Sequence, residues 1–577
     1  MHEIVTLQFG QQSNYLGTHF WNTQESYFTY PPEPESPVNH DILFRGGIAP
    51  DGSDTFTPRA LIYDLKGAFG SMKKVNALYE PEEDANVTGS NVWPAKPIIQ
   101  RTQPIPQSAY QTHLDAGLNP PQLTRSAVRF WSDYSRVYFH PKSLIQLSEF
   151  DVNDGLMPFE KWEVGMELFE KSEREADLVD RDLRPFIEEC DQIQGLQIFT
   201  GVDDAWGGWA SGWLERLRDE YGKMSIWTWA LGDQGSNTSV PRERRLQQLV
   251  NASRSLHVLA EHSSIYVPVS NNPAKTPSYL QLDSNSPWHI GAMQALALES
   301  ITIPSRLRSS DERRGTLQDL EETINSTGKR RIAKLEMSIA DPDVLDEKSE
   351  RQIAQAEKSG SMGSGLDDKD GEQLFRFDID VFSRDYRGVQ SKPFKKEHIF
   401  SRVESTRGDW NLAEHGRGLE PHDRYSEGPT VQRYVTYMPV HPAHQHQRQI
   451  RASAHLMRKL SSRASHLTRA LQYEGATLAA IESNTYSCDR YSAPLLFPLL
   501  DSFPPIFDVG GGKGVKLAVY AGLTTSTAVA EQVRSVEQVV RRMISLDERE
   551  ALCNGLHALA EEYDEGWDSG SDSDGDD

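Results

Sequence analysis

The chain opens on a short run, Glu3 to Leu7, whose apolar residues fall on alternate sides, and Gly10 interrupts it. From Asn14-Tyr15-Leu16-Gly17 through Phe20 and Trp21 the pattern becomes that of an amphipathic helix. A strand, a tight turn and a helix make the first half of a βαβ unit. Similar alternation continues to about residue 310. Leu196 to Phe199, Met224 to Leu231 and Ile265 to Val269 read as buried strands, and Trp213 to Tyr221 and Leu246 to Glu261 as helices. That order predicts a mostly parallel sheet with helices on both faces. The stretch Tyr30 to Asp54, rich in Pro, Glu and Gly, predicts a loop.

Periodicity fades from Ser309 to Glu372, where charge, Ser and Gly dominate, as in Glu357 to Lys369. Such a segment buries too little apolar area to offset ordering entropy, so a flexible insert is expected, with Arg330 to Ile339 its candidate ordered part. The expected map is a first domain over 1–308, the insert over 309–372, a second domain over 373–560 and a tail over 561–577. Within the second domain Ile450, Ala454, Met457, Leu460, Ala464, Leu467 and Leu471 lie three or four apart, one face of a helix. Its far face carries Arg451, Arg458, Arg463 and Arg469, which suits a core helix with a solvated face or contact with anionic lipid headgroups. The tail has nine acidic residues and no basic ones, so self-repulsion predicts disorder. Ser569, Ser571 and Ser573 each precede an acid by three residues, which suits an acid-directed kinase or a plain solubilising tail.

Composition narrows the function classes. The 577 residues allow two or three domains. Lys and Arg total 60 against 84 Asp and Glu, a net charge of −24, which argues against a general nucleic-acid binder. Cys190, Cys488 and Cys553 are too scattered for a disulfide framework or a zinc site, so a reducing compartment is expected. No apolar run approaches the ~20 residues of a spanning helix. The N-terminus has no signal-like pattern and begins with a strand. A cytosolic protein is expected, with any organelle association from outside.

In an open α/β sheet, ligands lie over the carboxyl ends of strands, where helix N-termini aim backbone N–H groups outward. Gln8, Gln11 and Asn14 would bring amide side chains to that edge beside Gly10; a buried first strand with a polar turn is the plainer reading. The opening is similar to the start of tubulins, with Gln8, Gly10, Gln11, Asn14 and Gly17 in register. Thr57-Pro-Arg-Ala-Leu-Ile-Tyr-Asp-Leu-Lys-Gly67 and Cys190-Asp-Gln-Ile-Gln-Gly-Leu-Gln197 resemble two further tubulin segments, in the same order. The long polar insert and the C-terminal region depart from tubulin. Tubulin-like segments on a divergent chain of this length resemble the Misato family of mitochondrial inheritance and morphology proteins, as do Arg330 to Leu335 and Phe503 to Phe507.

That resemblance implies an α/β fold, a tubulin-like doubly wound and mostly parallel sheet followed by a second, α+β domain. It implies a non-enzymatic role in partitioning mitochondria and mitochondrial DNA, at the mitochondrial outer surface and in the cytoplasm. It also implies protein partners (tubulin, a chaperonin or mitochondrial-surface proteins), with peripheral membrane contact open and no direct nucleic-acid contact. A GTPase that assembles like tubulin and a tubulin folding or assembly factor are the alternatives.

The tubulin GTP site can be compared part by part. The first loop is kept as Gln8, Gly10, Gln11 and Asn14, although Gln12-Ser13 replaces the family's Cys-Gly. The glycine-rich phosphate loop falls on Asp203-Asp204-Ala205-Trp206-Gly207-Gly208-Trp209. Two carboxylates there would meet an anion; one like-charged pair ~5 Å apart costs roughly 3 kcal/mol at an effective dielectric near 20. Gln248-Leu249-Val250 resembles part of the base-binding helix, but Leu259 to Ile265 has no counterpart of the later asparagine. The loop that carries a catalytic acid in tubulin becomes Ile303-Pro-Ser-Arg-Leu-Arg-Ser-Ser310, with Asp311 one residue late. No cofactor is therefore expected, GTP being the alternative, and the first loop is expected as a vestige. Gly510 to Val515 lacks the first glycine and the Ser or Thr of a phosphate loop, so it reads as a turn. His441, His444 and His446 have no nearby thiol or carboxylate to complete a metal shell and read as a surface loop.

Overall fold

The structure, a computed structural model, describes residues 2–30, 32, 34–48, 52–79, 105–233, 240–273, 276–308, 315–340, 379–382, 398–408, 430–437, 485–493, 495–508 and 516–564. The first strand, β1 (Glu3–Phe9), is buried along its whole length. It is followed in the chain by a hairpin, β2 (Phe44–Ile48) and β3 (Asp54–Pro58), and then by β4 (Ala60–Lys66), β5 (Leu144–Asp151), β6 (Ile193–Gly201), β7 (Ser225–Leu231) and β8 (Ile265–Val269). Apart from the hairpin these strands form one six-stranded sheet, order β5-β4-β1-β6-β7-β8, parallel throughout. The chain leaves β1 toward β4 and β5 and returns to β6 on the other side, so the topological switch lies between β1 and β6.

Helix α1 (Gly10–Glu25) follows β1 at once. The helix thus starts four residues before the expected Asn14. Gly10 makes the turn alone, at φ +84°, and Ser13 Oγ donates back to Phe9 O over 2.8 Å. The stretch Tyr30 to Asp54 also departs from a plain loop, because it holds β2 and the start of β3. Phe44 anchors that ribbon by packing edge-on against Trp21 and Phe28. Short α2 (Ala109–Asp115) lies in the β4–β5 connection, then α3 (Trp162–Ala176) and α4 (Arg184–Glu188) lead to β6. Helices α5 (Ala205–Glu220) and α6 (Arg242–His262) follow β6 and β7. One apolar core joins α3, α5 and α6 to one sheet face, and another lies under α1 and the next helix on the opposite face.

That next helix, α7 (Pro287–Thr302), is buried from Gly291 through Thr302. A helix apolar nearly all round belongs inside, and α7 sits between the first sheet and a second one. The second sheet comprises β9 (Lys334–Ala340), β10 (Ile379–Asp380), β11 (Ile399–Arg407), β12 (Thr430–Tyr437), β13 (Thr485–Ala493), β14 (Phe497–Pro498) and β15 (Lys516–Ser526). Its order is β10-β9-β15-β11-β13-β12, with β14 on β15; only β11 and β13 run parallel. An α/β sheet followed by a second, mixed sheet is the expected class.

Residues 315–340 carry α8 (Leu317–Ile324), where the flexible insert was expected, and β9, most of which falls in the expected ordered part Arg330 to Ile339. Leu317, Leu320 and Ile324 are buried, and a Thr316–Asp319 capping box starts the helix. Eight residues are too few for a clear periodic signal, so composition misled there. After β15 the chain forms α9 (Ala528–Met543) and α10 (Leu546–Glu561). Order also reaches past the expected start of the tail. Tyr563 is fully buried, its hydroxyl donating to Ile332 O over 3.1 Å and accepting from Ile332 N over 2.6 Å. The segment 341–378, the expected helix over Ile450 to Leu471, His441, His444, His446, Gly510 to Val515 and the serines of the tail lie outside the described residues.

A fully buried ionic network ties α7 to the second sheet. Glu299 of α7 accepts from Arg407 Nη1 at the end of β11, from Arg306 Nη2 over 3.4 Å, from Gln24 Nε2 over 3.3 Å and from Tyr27 Oη over 3.1 Å. Both guanidiniums and the carboxylate have no solvent exposure. Arg306 belongs to the segment compared above with tubulin's catalytic-acid loop, and here it turns inward. Ser309, Ser310 and Asp311 lie outside the described residues.

Candidate functional site at the carboxyl edge of the first sheet

The switch point sets the crevice between the starts of α1 and α5. The four residues expected there end up in different surroundings. Gln8 is buried, its amide packed against Gly17; a Cβ on that glycine would lie 2.5 Å from Gln8 Cδ, so α1 rests directly on β1. Among the described residues Gln8 Nε2 has no hydrogen-bond partner. Gly10 forms the first residue of α1, and Gln11 beside it is half-buried. Asn14 is fully buried and donates to Asp64 Oδ2 over 2.7 Å and to Tyr63 O over 3.4 Å. Thus Gly10, Gln11 and Asn14 lie at the edge, while Gln8 points under the helix.

Asp64, near the end of β4, also accepts from Trp131 Nε1 over 3.1 Å and from Leu65 N over 2.8 Å. Burial pushes its carboxyl up to about 7 against the pull of these donors, with the charge of Asp204 adding to the shift. The side chain of Asn14 therefore serves the protein's own carboxylate.

The other wall is built by the β6–α5 turn. Asp204 is the N-cap of α5, its Oδ1 accepting from Trp206 N over 3.0 Å. Burial raises this carboxyl to about 6. Asp203, buried, accepts the Asp233 N–H over 2.6 Å, and its carbonyl accepts from Asn251 Nδ2 over 2.9 Å. Asn251 of α6 also donates to Glu160 O over 2.6 Å and accepts from Trp162 N over 3.1 Å, joining α6 to the start of α3. A helix N-terminus ordinarily offers free N–H groups to an anion. Here the chain's own carboxylate meets one of them.

The glycines left in this segment have another use. Gly208 lies against the start of α3, where an added Cβ would come 2.9 Å from Met166 N; Gly165 of α3 faces α5 in return, 2.9 Å from Trp209 N. Gly207 and Gly208 thus let helices pack. Gln248 lies within α6 and its Oε1 has no hydrogen-bond partner among the described residues. Trp206 projects over Gly10: a Cβ on Gly10 would lie 2.5 Å from Cδ1 and 2.6 Å from Cε2 of the indole. Only 5% of Trp206 is exposed, and Phe159 meets it edge-on at 5.1 Å.

The sequence placed Trp206 in the turn at this edge but not over Gly10, and it missed Asn251 as an edge residue. Trp206 carried a signal, since a bulky ring stands among positions where the comparison expected glycine; Asn251 carried none. Among the described residues no group of three or more His, Cys, Asp or Glu is placed to hold a metal ion. No helix there is long and apolar enough to cross a membrane.

Comparison with known proteins agrees with this architecture. Residues 2–116 match the Misato Segment II tubulin-like domain, and residues 120–307 match a tubulin domain. Over its full length the chain is 66% identical to protein DML1 of Phaeosphaeria nodorum, and the match spans all of that protein. It is 41% identical to protein dml-1 of Neurospora crassa, again over the whole of both chains. Misato homolog 1 of Bos taurus is 29% identical over 57% of this chain and 63% of its own. With tubulin-like domains at its front and full-length relatives at these identities, the chain belongs to the DML1/Misato family of tubulin-like proteins.

Proposed function

We propose that this chain is a non-enzymatic member of the tubulin-like fold that acts in partitioning mitochondria, in inheritance of mitochondrial DNA and in mitochondrial distribution and morphology. It works from the cytoplasm at the mitochondrial outer surface, through protein partners such as tubulin, a chaperonin or mitochondrial-surface proteins. Family membership supports the cellular role. The observation that carries the non-enzymatic half is the turn before α5. Asp203 and Asp204 stand where a phosphate would need bare backbone, and Asp204 already takes the Trp206 N–H. Any phosphate brought there meets two carboxylates at short range. On this reading Gln8, Gly10, Gln11 and Asn14 are a vestigial nucleotide loop.

The deciding experiment is an anion-exchange nucleotide assay on purified, denatured protein. The expected result is no stoichiometric guanine nucleotide; one GTP or GDP per chain would replace this reading with that of a GTPase. For the cellular half, depletion should disturb mitochondrial distribution and transmission of mitochondrial DNA. Normal mitochondria after complete depletion would remove it.

A further inference from the structure

We infer that the Trp206 indole is an internal ligand, filling from within the chain the crevice at the β1/β6 switch point. The inference rests on the proposed reading that the edge holds no nucleotide, and adds what takes the place of one. Open α/β sheets receive flat ligands in this crevice because the connections leave β1 and β6 in opposite directions. Here the helices after those two strands start at Gly10 and Ala205. The indole of Trp206, in the first turn of α5, lies across the gap onto Gly10, closer than any side chain at Gly10 would allow. Gly10 has φ +84° as well, so two separate constraints make it glycine.

The ring is held on its other sides. Phe159, ahead of α3, meets it at 73°, and Trp209 one turn further along α5 meets it at 81° with centroids 6.4 Å apart. Behind Phe159 stands Phe150 of β5 at 4.9 Å. Aromatic pairs in these tilted arrangements contribute beyond their area. The ring therefore fixes α1, α5 and the approach to α3 together without any bound molecule. The consequence is a fold whose edge is set in one conformation and is indifferent to ligand supply. Emptying the position would create a site for a neutral, planar heteroaromatic molecule of about the size of indole. A polyphosphate would still be repelled, because Asp203 and Asp204 remain.

The test uses full-length protein in four forms: wild type, Gly10→Ala, Trp206→Ala and the double variant, with thermal unfolding followed with and without free indole. Trp206→Ala should unfold roughly 5 °C lower than wild type, as expected for a buried aromatic removed from a large chain. Millimolar indole should recover part of that loss and leave wild type unmoved, since apolar cavities of this kind admit flat ligands. Gly10→Ala should lower the midpoint much further in wild type than in the Trp206→Ala background, where only backbone strain is left. Equal effects of Gly10→Ala in both backgrounds, or no recovery by indole, would overturn the inference. Should Trp206→Ala not fold, Trp206→Phe retains a smaller flat ring, and Gly10→Ala must then cost less beside it than in wild type. A parallel arm adds Mg-GTP to wild type. Stabilisation there overturns the non-enzymatic reading itself, whereas failure of indole with no response to Mg-GTP sinks only the internal ligand.

Discussion

Replacing Glu299 by Gln removes one negative charge from a site with no contact to solvent and leaves the guanidiniums of Arg306 and Arg407 facing each other. The side chain keeps its shape, so the effect is electrostatic. The carboxylate accepts from both guanidiniums, from Gln24 and from Tyr27. Two charge-assisted hydrogen bonds contribute about 1.5–3 kcal/mol each, and a buried charge that loses its partner costs about 3–5 kcal/mol. We expect Glu299→Gln to lower stability by ~4 kcal/mol. Equilibrium unfolding in urea measures it as a lower midpoint, read both by tryptophan fluorescence and by far-ultraviolet circular dichroism. The two signals should move together, because Tyr27 follows α1 and Glu299 belongs to α7, while Arg407 ends a strand of the second sheet. Exchanging all three charged residues for apolar ones of similar volume should cost less than Glu299→Gln alone, since no unpaired ion remains. A single variant within 1 kcal/mol of wild type would refute the reasoning.

Four further outcomes are expected. Asp64, with its folded pKa raised to about 7, contributes stability that is complete below the unfolded carboxyl value and is lost as pH rises through 7, about 4 kcal/mol in all; Asp64→Asn should therefore gain on wild type between pH 5 and pH 8 in thermal unfolding, and parallel pH profiles would contradict this. His19, held at about 3 by burial beneath Tyr134 and Phe503, acts in the opposite sense, so wild type should lose stability as pH falls below 6.5 and His19→Phe should flatten that loss in acid titrations. Tyr563→Phe leaves the Ile332 N–H and C=O without their partner and should cost about 2–3 kcal/mol in urea unfolding; a silent change would show that α10 ends the ordered fold by itself. Replacing Asp203 and Asp204 together by Gly removes two charges from the edge, so affinity for Mg-GTP in calorimetric titration should rise yet stay weak under Trp206, whereas tight wild-type binding abolished by the change would mean the acids work with a metal ion.

Much of the first sheet was legible because its strands are short apolar runs spaced by amphipathic helices, and local periodicity reports which face is buried. Ile265 to Val269 matches β8 end for end, and β6 and β7 differ only at their ends. The start of α1 was misplaced because Gly10 turns the chain without a loop, which no pattern of polarity encodes. The segment 315–329 was misread because polar and charged residues dominate its composition, although Leu317, Leu320 and Ile324 are enough to seat α8 between the sheets, whereas Arg330 to Ile339, expected as the ordered part, holds most of β9. Tyr563 was assigned to the tail for the same reason, one buried aromatic among acids. At the edge, the loss of glycines before α5 was visible in the residues themselves. Their use was not, since a carboxylate can repel a ligand, cap a helix or do both.

By itself, then, the sequence determined four strands of the first sheet, β1, β6, β7 and β8, and the carboxylates at the switch-point turn, because each depends on neighbours within a few residues; β4, β5 and the order of the strands came only with the fold. Only the tertiary structure decided that Asn14 serves Asp64, that the indole of Trp206 covers Gly10, and that Glu299 meets Arg407 across 108 residues of chain. Those contacts join elements far apart in sequence. Their partners are chosen by which faces the packed sheets bring together, and a polar or aromatic residue buried there must find its partner in whatever that packing supplies.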